Sequence, residues 1–136
     1  MTDFKKILRE AKLKVTPARL ATLAALSKSS RPMTAEEIHV KVGKSGIDPV
    51  TIYRTLASFE AHTLVKRVDL HRDAVHFELA DPHHHHIVCT SCGAMEDFDV
   101  CDVEAIGKKI LRHSSNFKTI QEHSLELFGL CKKCMK

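Results

Sequence analysis

The 136-residue sequence contains no tryptophan. It also contains no apolar run approaching the roughly 20 residues that a membrane-spanning helix needs, so a bilayer-embedded helical protein is not expected. The charged opening Asp3-Phe4-Lys5-Lys6 is not followed by the apolar core of a signal peptide, and export is not expected either. There is no His-Glu-x-x-His motif and no arrangement of nucleophile and base. That counts against a zinc hydrolase, although three-histidine sites with an open position can activate water. What remains, with 43% hydrophobic residues, is a soluble globular protein of one ordinary domain or two small ones.

Cysteine is scarce but patterned. Four of the five cysteines form two Cys-x-x-Cys pairs, Cys89 with Cys92 and Cys131 with Cys134. A two-residue gap lets a tight turn aim both sulfurs at one ion, and two such pairs supply the four thiolates of a closed tetrahedral zinc site. Thiols reserved for metal, with no export signal, point to a reducing compartment, the cytoplasm. Cys101 is left over and reads as an inert, half-buried thiol. The first pair is preceded by His83-His84-His85-His86, a run that is internal and leads straight into the knuckle, unlike a terminal tag. If an extended segment runs from Pro82 to Val88, strand alternation sends His83 and His85 to one face and His84 and His86 to the other. One run could then feed two separate metal sites.

The net charge of +4 conceals a division. Residues 1–72 hold fourteen Lys and Arg against seven Asp and Glu, and residues 73–136 hold seven against ten, so the two parts carry +7 and −3. A basic front reads as a polyanion-binding face, and an acidic, histidine-rich back as a cation-binding one.

Periodicity predicts four helices in the basic part. Phe4, Ile7, Leu8 and Ala11 form an apolar stripe over Asp3 to Lys12. Thr16 as N-cap and Pro17 at the first helical position open a helix to about Ser27, with Leu20, Leu23, Ala24 and Leu26 inward. Thr34 and Glu37 make a capping box for a third helix to about Val42, facing Ala35, Ile38 and Val42 to the core. Asp48-Pro49 repeats the cap-and-proline device for a fourth, from Val50 to about Ala61, burying Ile52 or Tyr53, then Leu56 and Phe59. Two β-rich runs, Leu64 to Val68 and Ala74 to Leu79, flank a polar turn and read as a hairpin. Helix-turn-helix plus hairpin is the winged helix. The fourth helix is then the recognition helix, with Thr51, Tyr53 and Arg54 toward bases and phosphates. Lys14 and Arg19 flank the start of the second helix, where free backbone amides also attract phosphate.

Beyond Ala80-Asp81-Pro82 a second module is expected, with a strand through the histidines, a return strand from Ala94 to Phe98, and a helix from Val103 to about Ser114 capped by Asp102. Val103, Ile106, Ile110 and Leu111 form its apolar stripe, and a partly alternating segment from Phe117 to Leu130 ends at the last cysteine pair. The expected fold class is α+β. It has a winged helix-turn-helix domain at 1–79, a hinge at 80–83, and a zinc-bearing α/β dimerisation domain at 84–136. A module of that size buries a thin core, which a metal and a second copy would both support.

Leu13-Lys14-Val15-Thr16-Pro17-Ala18-Arg19, Thr51-Ile52-Tyr53-Arg54-Thr55-Leu56, Phe77-Glu78-Leu79, His83 through Cys92, His123-Ser124-Leu125 and the terminal Cys-x-x-Cys together resemble the ferric uptake regulator (Fur) superfamily over essentially the whole chain. The resemblance implies a cytoplasmic homodimer with structural zinc on Cys89, Cys92, Cys131 and Cys134. It would bind a palindromic double-stranded DNA operator, as a repressor, when a second, regulatory metal is loaded. It implies one further site on His83, His85, Glu104 and His123, and a hinge site on Glu78, His84, His86 and Asp97. The regulatory ion would be zinc or iron, with manganese a further option. Members that sense iron or peroxide generally draw another hinge ligand, a histidine, from the segment before the third helix. Here Ser30-Arg31-Pro32-Met33-Thr34 contains none. The hinge site either has fewer ligands or borrows one, His76 before His71. Iron or zinc sensing, peroxide sensing on the same fold, and a zinc storage or enzymatic module remain open at this point.

Overall fold

The computed structural model describes residues 3–80, 84–99 and 102–135. The chain divides into two compact units, residues 1–82 and 83–136. Positions 81–83 of the expected hinge lie outside the described residues, as do His83 and Cys101.

In the first unit each α-helix starts where a side chain can take up free backbone amides. Helix α1 (Phe4–Glu10) is capped by Asp3, which accepts from the Lys6 N–H at 3.1 Å. Helix α2 (Pro17–Lys28) is capped by Thr16, which accepts from the Arg19 N–H at 3.2 Å. Strand β1 (Met33–Thr34) leads into α3 (Ala35–Val42). There Thr34 Oγ1 accepts from the Glu37 N–H at 3.1 Å, and Glu37 Oε1 accepts from the Thr34 N–H at 3.2 Å. Helix α4 (Pro49–Ala61) starts from Asp48, which accepts from the Thr51 N–H at 2.7 Å. Each cap is worth about 1 kcal/mol, which matters for helices this short.

Strands β2 (Val65–Val68) and β3 (His76–Leu79) form the antiparallel wing, in a sheet ordered β1-β3-β2. Strand β1 was not expected, because two residues are too few for an alternating pattern to register. It exists through its pairing of Met33 with Phe77 and Thr34 with His76. Leu8, Leu23, Ile38, Ile52, Leu56 and Phe59 form the centre of the core at 1% exposure or less. Periodicity left Ile52 and Tyr53 as alternatives for the buried position on α4. Ile52 faces in and Tyr53 is 51% exposed. On α2 Leu23 and Leu26 are buried as expected and Leu20 is half-buried, but Ala25 is buried and Ala24 only half so. Thr22 also packs inward, its hydroxyl donating to the Ala18 carbonyl at 2.8 Å.

The second unit contains β4 (His85–Cys89), β5 (Met95–Phe98), α5 (Val103–His113) and β6 (Glu126–Gly129) in a sheet ordered β5-β4-β6. Strands β4 and β5 are antiparallel and joined by the first cysteine knuckle, where Gly93 takes a φ of +80° and its N–H bonds the Cys89 carbonyl at 3.0 Å. Strands β4 and β6 are parallel, so a crossover carrying α5 must connect them. Their register sets His86 beside Glu126 and Cys89 beside Gly129.

Two expectations need correction here. Asp102 precedes α5 but makes no side-chain cap bond, its backbone lying at φ −100°, ψ 25°. The segment from Phe117 to Leu130 is extended strand only over Glu126–Gly129, the only part in register with β4. The stripe on α5 is present but not covered within one chain: Ile106 is 53% and Ile110 57% exposed, alongside exposed Phe117, Ile120, Ile87, Leu127 and Leu130. Among the described residues no helix is long and apolar enough to cross a membrane.

The end of α4 has a local conflict. Leu64 N–H bonds the Phe59 carbonyl at 2.8 Å and Thr63 N–H that of Glu60 at 3.1 Å, a closing motif that requires a left-handed residue. That residue is Thr63, at φ +56°, where a β-branched side chain is strained. Thr63→Gly should therefore raise stability by about 0.5–1 kcal/mol, the relief of Cβ strain exceeding the added freedom of the unfolded chain. Urea denaturation checks this, and a lower midpoint would show that the threonine is not strained.

Candidate functional site

The four paired cysteines converge. The thiols of Cys89, Cys92, Cys131 and Cys134 lie within 4.8 Å of one another, with Cys92 and Cys131 Sγ atoms 3.7 Å apart. Sulfurs held about 2.3 Å from one tetrahedral ion would sit about 3.8 Å apart, close to the Cys92–Cys131 separation, so the set suits zinc. The protein prepares Cys89 for ligation. Backbone N–H groups of Cys92 and Cys131 donate to its sulfur at 3.5 and 3.4 Å, and these bonds bring its pKa down to about 6. Cys134 goes the other way. The Ser91 hydroxyl lowers it, but the sulfurs of Cys131, Cys92 and Cys89 outweigh that and push it up to about 11. Four thiolates cannot crowd together without a cation, which is the behaviour expected of a zinc site.

On β4 the histidines follow the alternation. His86 is fully buried, and its ring meets that of His84 edge-on at 4.8 Å between centroids. Its Nε2 lies 3.7 Å from Asp97 Oδ1, and its Nδ1 lies 3.9 Å from Glu126 Oε1. The Asp97 separation is too long for a hydrogen bond but near the roughly 3.4 Å between two ligands about 2.1 Å from a shared tetrahedral ion. Imidazole and carboxylate together suit zinc, iron or manganese. On the opposite face His85, 2% exposed, packs against Phe98 at 5.6 Å and His123 at 5.3 Å between ring centroids. Glu104 stands exposed in the first turn of α5 with Lys108 Nζ 3.9 Å from it. Among the described residues it does not close a three-ligand cluster with His85 and His123. His83, the fourth member expected there, is outside the described residues.

In the first unit Glu78 is buried on β3, its Oε1 3.2 Å from Lys66 Nζ on the paired strand. The segment without a histidine becomes β1, running alongside His76, which pairs with Thr34. His76 is buried on the same strand face as Glu78, its Nδ1 3.0 Å from the Ala74 carbonyl oxygen. His71 is exposed at the wing turn.

Helix α4 presents Tyr53 and Arg54 to solvent, with Thr51 half-buried. Arg54 lowers the Asp48 carboxyl only as a minor contribution, since the Thr51 amide and hydroxyl bonds do most of it. The Tyr53 hydroxyl donates to Glu36 on α3. That bond lowers the Glu36 carboxyl and raises the Tyr53 phenol. Near the start of α2, Arg19 Nη1 donates to the Lys14 carbonyl at 2.7 Å, tying together two basic residues expected to face phosphate. Glu36 and Glu126 were not among the expected functional residues. Each meets its partner only through tertiary packing, and no linear spacing announces either.

The profile described as “Ferric uptake regulator family” matches residues 10–128. The chain is 34% identical over 131 residues to the ferric uptake regulation protein of Legionella pneumophila, covering 93% of this chain and 95% of that one. It is 31% identical over 129 residues to the peroxide-responsive repressor PerR of Staphylococcus aureus strain Mu50, covering 93% and 86%. The structure resembles that of the ferric uptake regulator from Pseudomonas aeruginosa with manganese, with a TM-score of 0.76 at 32% identity, covering 97% of this chain and 100% of that one.

Replacing one thiol of the tetrahedral set should remove bound zinc and destabilise the unit it closes. For Cys92→Ser we expect about one fewer zinc per chain in a colorimetric metal assay and a melting midpoint lower by at least about 10 °C. A variant that melts like the wild type would show that the thiols hold no structural metal.

Proposed function

The chain belongs to the ferric uptake regulator family of metal-responsive transcription regulators, and from that membership we propose that it acts as a homodimeric repressor whose grip on a palindromic operator depends on a regulatory divalent cation. A family of regulators implies that the metal sites serve binding and not hydrolysis. The observation that carries the reading is the pairing of two chemistries in one chain: a basic winged helix with an exposed Tyr53 and Arg54, and a small sheet whose buried imidazoles and the carboxylates beside them suit a divalent cation.

In this reading Cys89, Cys92, Cys131 and Cys134 hold zinc permanently and keep the second unit folded. His84, His86 and Asp97 hold the regulatory ion, zinc or iron, and Glu78 belongs to the same ligand set that the family resemblance implies. His85 and His123, with His83 and Glu104, form a second imidazole-rich site. Bound cation supplies positive charge that draws these ligands together, and it favours the dimer arrangement that binds DNA to the extent that it binds that arrangement more tightly. The exposed apolar face of Ile106, Ile110, Phe117 and Ile120 supports pairing with a second copy. Thr51, Tyr53 and Arg54 contact the operator through the major groove, and Lys14 and Arg19 hold the backbone. The paired thiols fit a reducing cytoplasm.

The absence of histidine from residues 30–34 favours metal sensing over peroxide sensing, since oxidation of that residue is unavailable here. A gel-shift titration of the full chain with zinc, iron and manganese in turn tests the proposal. Operator affinity should rise at least tenfold with the cognate cation while the thiolate zinc content stays constant, and should fall steeply between 50 and 200 mM salt as counterions are released. Affinity that is unchanged after all exchangeable cation is removed would reduce the protein to a plain DNA binder. In the same assay Arg54→Ala should cost tenfold or more in affinity without altering metal content. Equal affinity would take Arg54 out of the interface.

A further inference from the structure

Glu126 has no part in the ligand sets above, yet it lies within 4 Å of one of their buried members. It sits on β6 directly across from His86 on β4, where the parallel register pairs the two residues. The His86 side chain is 1% exposed and that of Glu126 is 12% exposed. Glu126 Oε2 accepts from the Ser124 hydroxyl at 3.0 Å, which anchors one edge of the carboxylate. The other oxygen, Oε1, faces His86 Nδ1 at 3.9 Å, while Asp97 faces Nε2 at 3.7 Å from β5 on the other side of the ring.

The two nitrogens of an imidazole point in divergent directions, so a cation shared by Nε2 and Asp97 leaves Nδ1 turned toward β6. Glu126 is therefore badly placed to be a ligand alongside Asp97 and well placed to accept the proton that His86 must keep on Nδ1. A neutral imidazole with its N–H on Nδ1 has its lone pair on Nε2, which is the form a cation requires. A half-buried carboxylate that accepts this N–H selects the tautomer, fixes the ring plane and makes Nε2 a stronger donor. The separation needs to shorten by about 1 Å to reach hydrogen-bond length, within the reach of a small turn of either side chain.

We propose that Glu126, held by Ser124, is a positioning residue that orients His86 and sets the affinity of the regulatory cation site. The proposal rests on the reading of His86 and Asp97 as ligands. It makes β6 part of that site: the strand that delivers the second cysteine pair to the structural zinc also delivers the carboxylate behind a regulatory ligand. Affinity is then tunable at position 126 without altering any ligand.

The test is a chelator-competition titration of the full-length protein, carrying its thiolate zinc, with Co(II) as the probe. The signal is the visible d–d absorption band that is abolished in His86→Ala. Glu126→Ala should weaken Co(II) binding in that band by 10- to 100-fold and alter its intensity, because the ring is no longer held in one plane. Glu126→Gln, which retains an acceptor oxygen, should recover most of the affinity, and Ser124→Ala should give a smaller loss than Glu126→Ala. Zinc content and the melting midpoint of the zinc-only protein should stay at wild-type values in all three. Glu126→Ala binding Co(II) like the wild type would overturn the positioning role and leave the ligand reading intact, and a loss of affinity matched by a fall in the midpoint would reduce Glu126 to a structural part. If His86→Ala abolishes no band, the regulatory site and the proposal built on it both fall.

Discussion

The parallel pairing of β4 with β6 is the constraint on which the second unit depends. No tight turn can join parallel neighbours, so the chain leaves β5, runs through α5 and an irregular stretch, and re-enters beside β4 only at Glu126–Gly129. Four residue pairs then decide both metal-related features at once. At one end the register sets Gly129 beside Cys89, and the chain turns so that Cys131 and Cys134 meet the first knuckle. At the other end it sets Glu126 beside His86. A one-residue slip would turn Glu126 and Phe128 to the wrong face and carry the last cysteine pair out of reach. The thiolate cluster prevents that slip, because it ties segments 39 residues apart at the very end of the ladder.

A clamp of this kind is needed because so little else holds the unit. Among the described residues its buried hydrophobics are few, namely Val88 and Cys89, whereas the first unit has a contiguous core from Leu8 to Phe77. Gly107 on α5 permits the side chain of Ile120 to lie close, its missing Cβ leaving only 3.0 Å to Ile120 Cδ1, yet most of the apolar stripe stays open in the single chain. A small sheet with one helix cannot bury enough apolar surface alone. In the proposed dimer, metal ligation and pairing with a second copy would offset the shortfall in different ways, one by closing the strand ends and the other by covering the face. The first unit needs neither. Its stability comes from caps at every α-helix N-terminus and from a core centred on Ile38, Ile52 and Phe59. The outer surface of α4 stays exposed, with the Tyr53 hydroxyl held by Glu36.

Period-2 alternation along β4 separates two kinds of chemistry. His86 and Val88 share a face with Asp97, Glu126 and Phe128, and there an imidazole is enclosed by carboxylates from both neighbouring strands. His85 and Ile87 share the other with Phe98 and Leu127, and there His85 stacks near His123 beside apolar side chains. The same backbone thus presents a charged cluster on one face and a partly apolar one on the other, only one residue apart.

Local chemistry was legible in the sequence. Caps, prolines and 3.6-residue stripes announced the four helices of the first unit, because a cap and its amide lie three residues apart and a stripe repeats within one turn. The cysteine spacings announced a thiolate site, because the two-residue gap is itself the geometry of the knuckle, and strict alternation announced that the histidine run would divide between two faces. Tertiary structure alone decided whatever depends on residues distant in the chain. It turned Ile52 inward and Tyr53 outward, made a strand of Met33–Thr34 by giving it β3 as a neighbour, and limited the last strand to the four residues in register with β4. It also brought Glu36 to Tyr53 across 17 positions and Glu126 to His86 across β6 and β4. No periodicity carries those pairings. They follow from how helices pack and strands align, and a one-dimensional pattern does not record either.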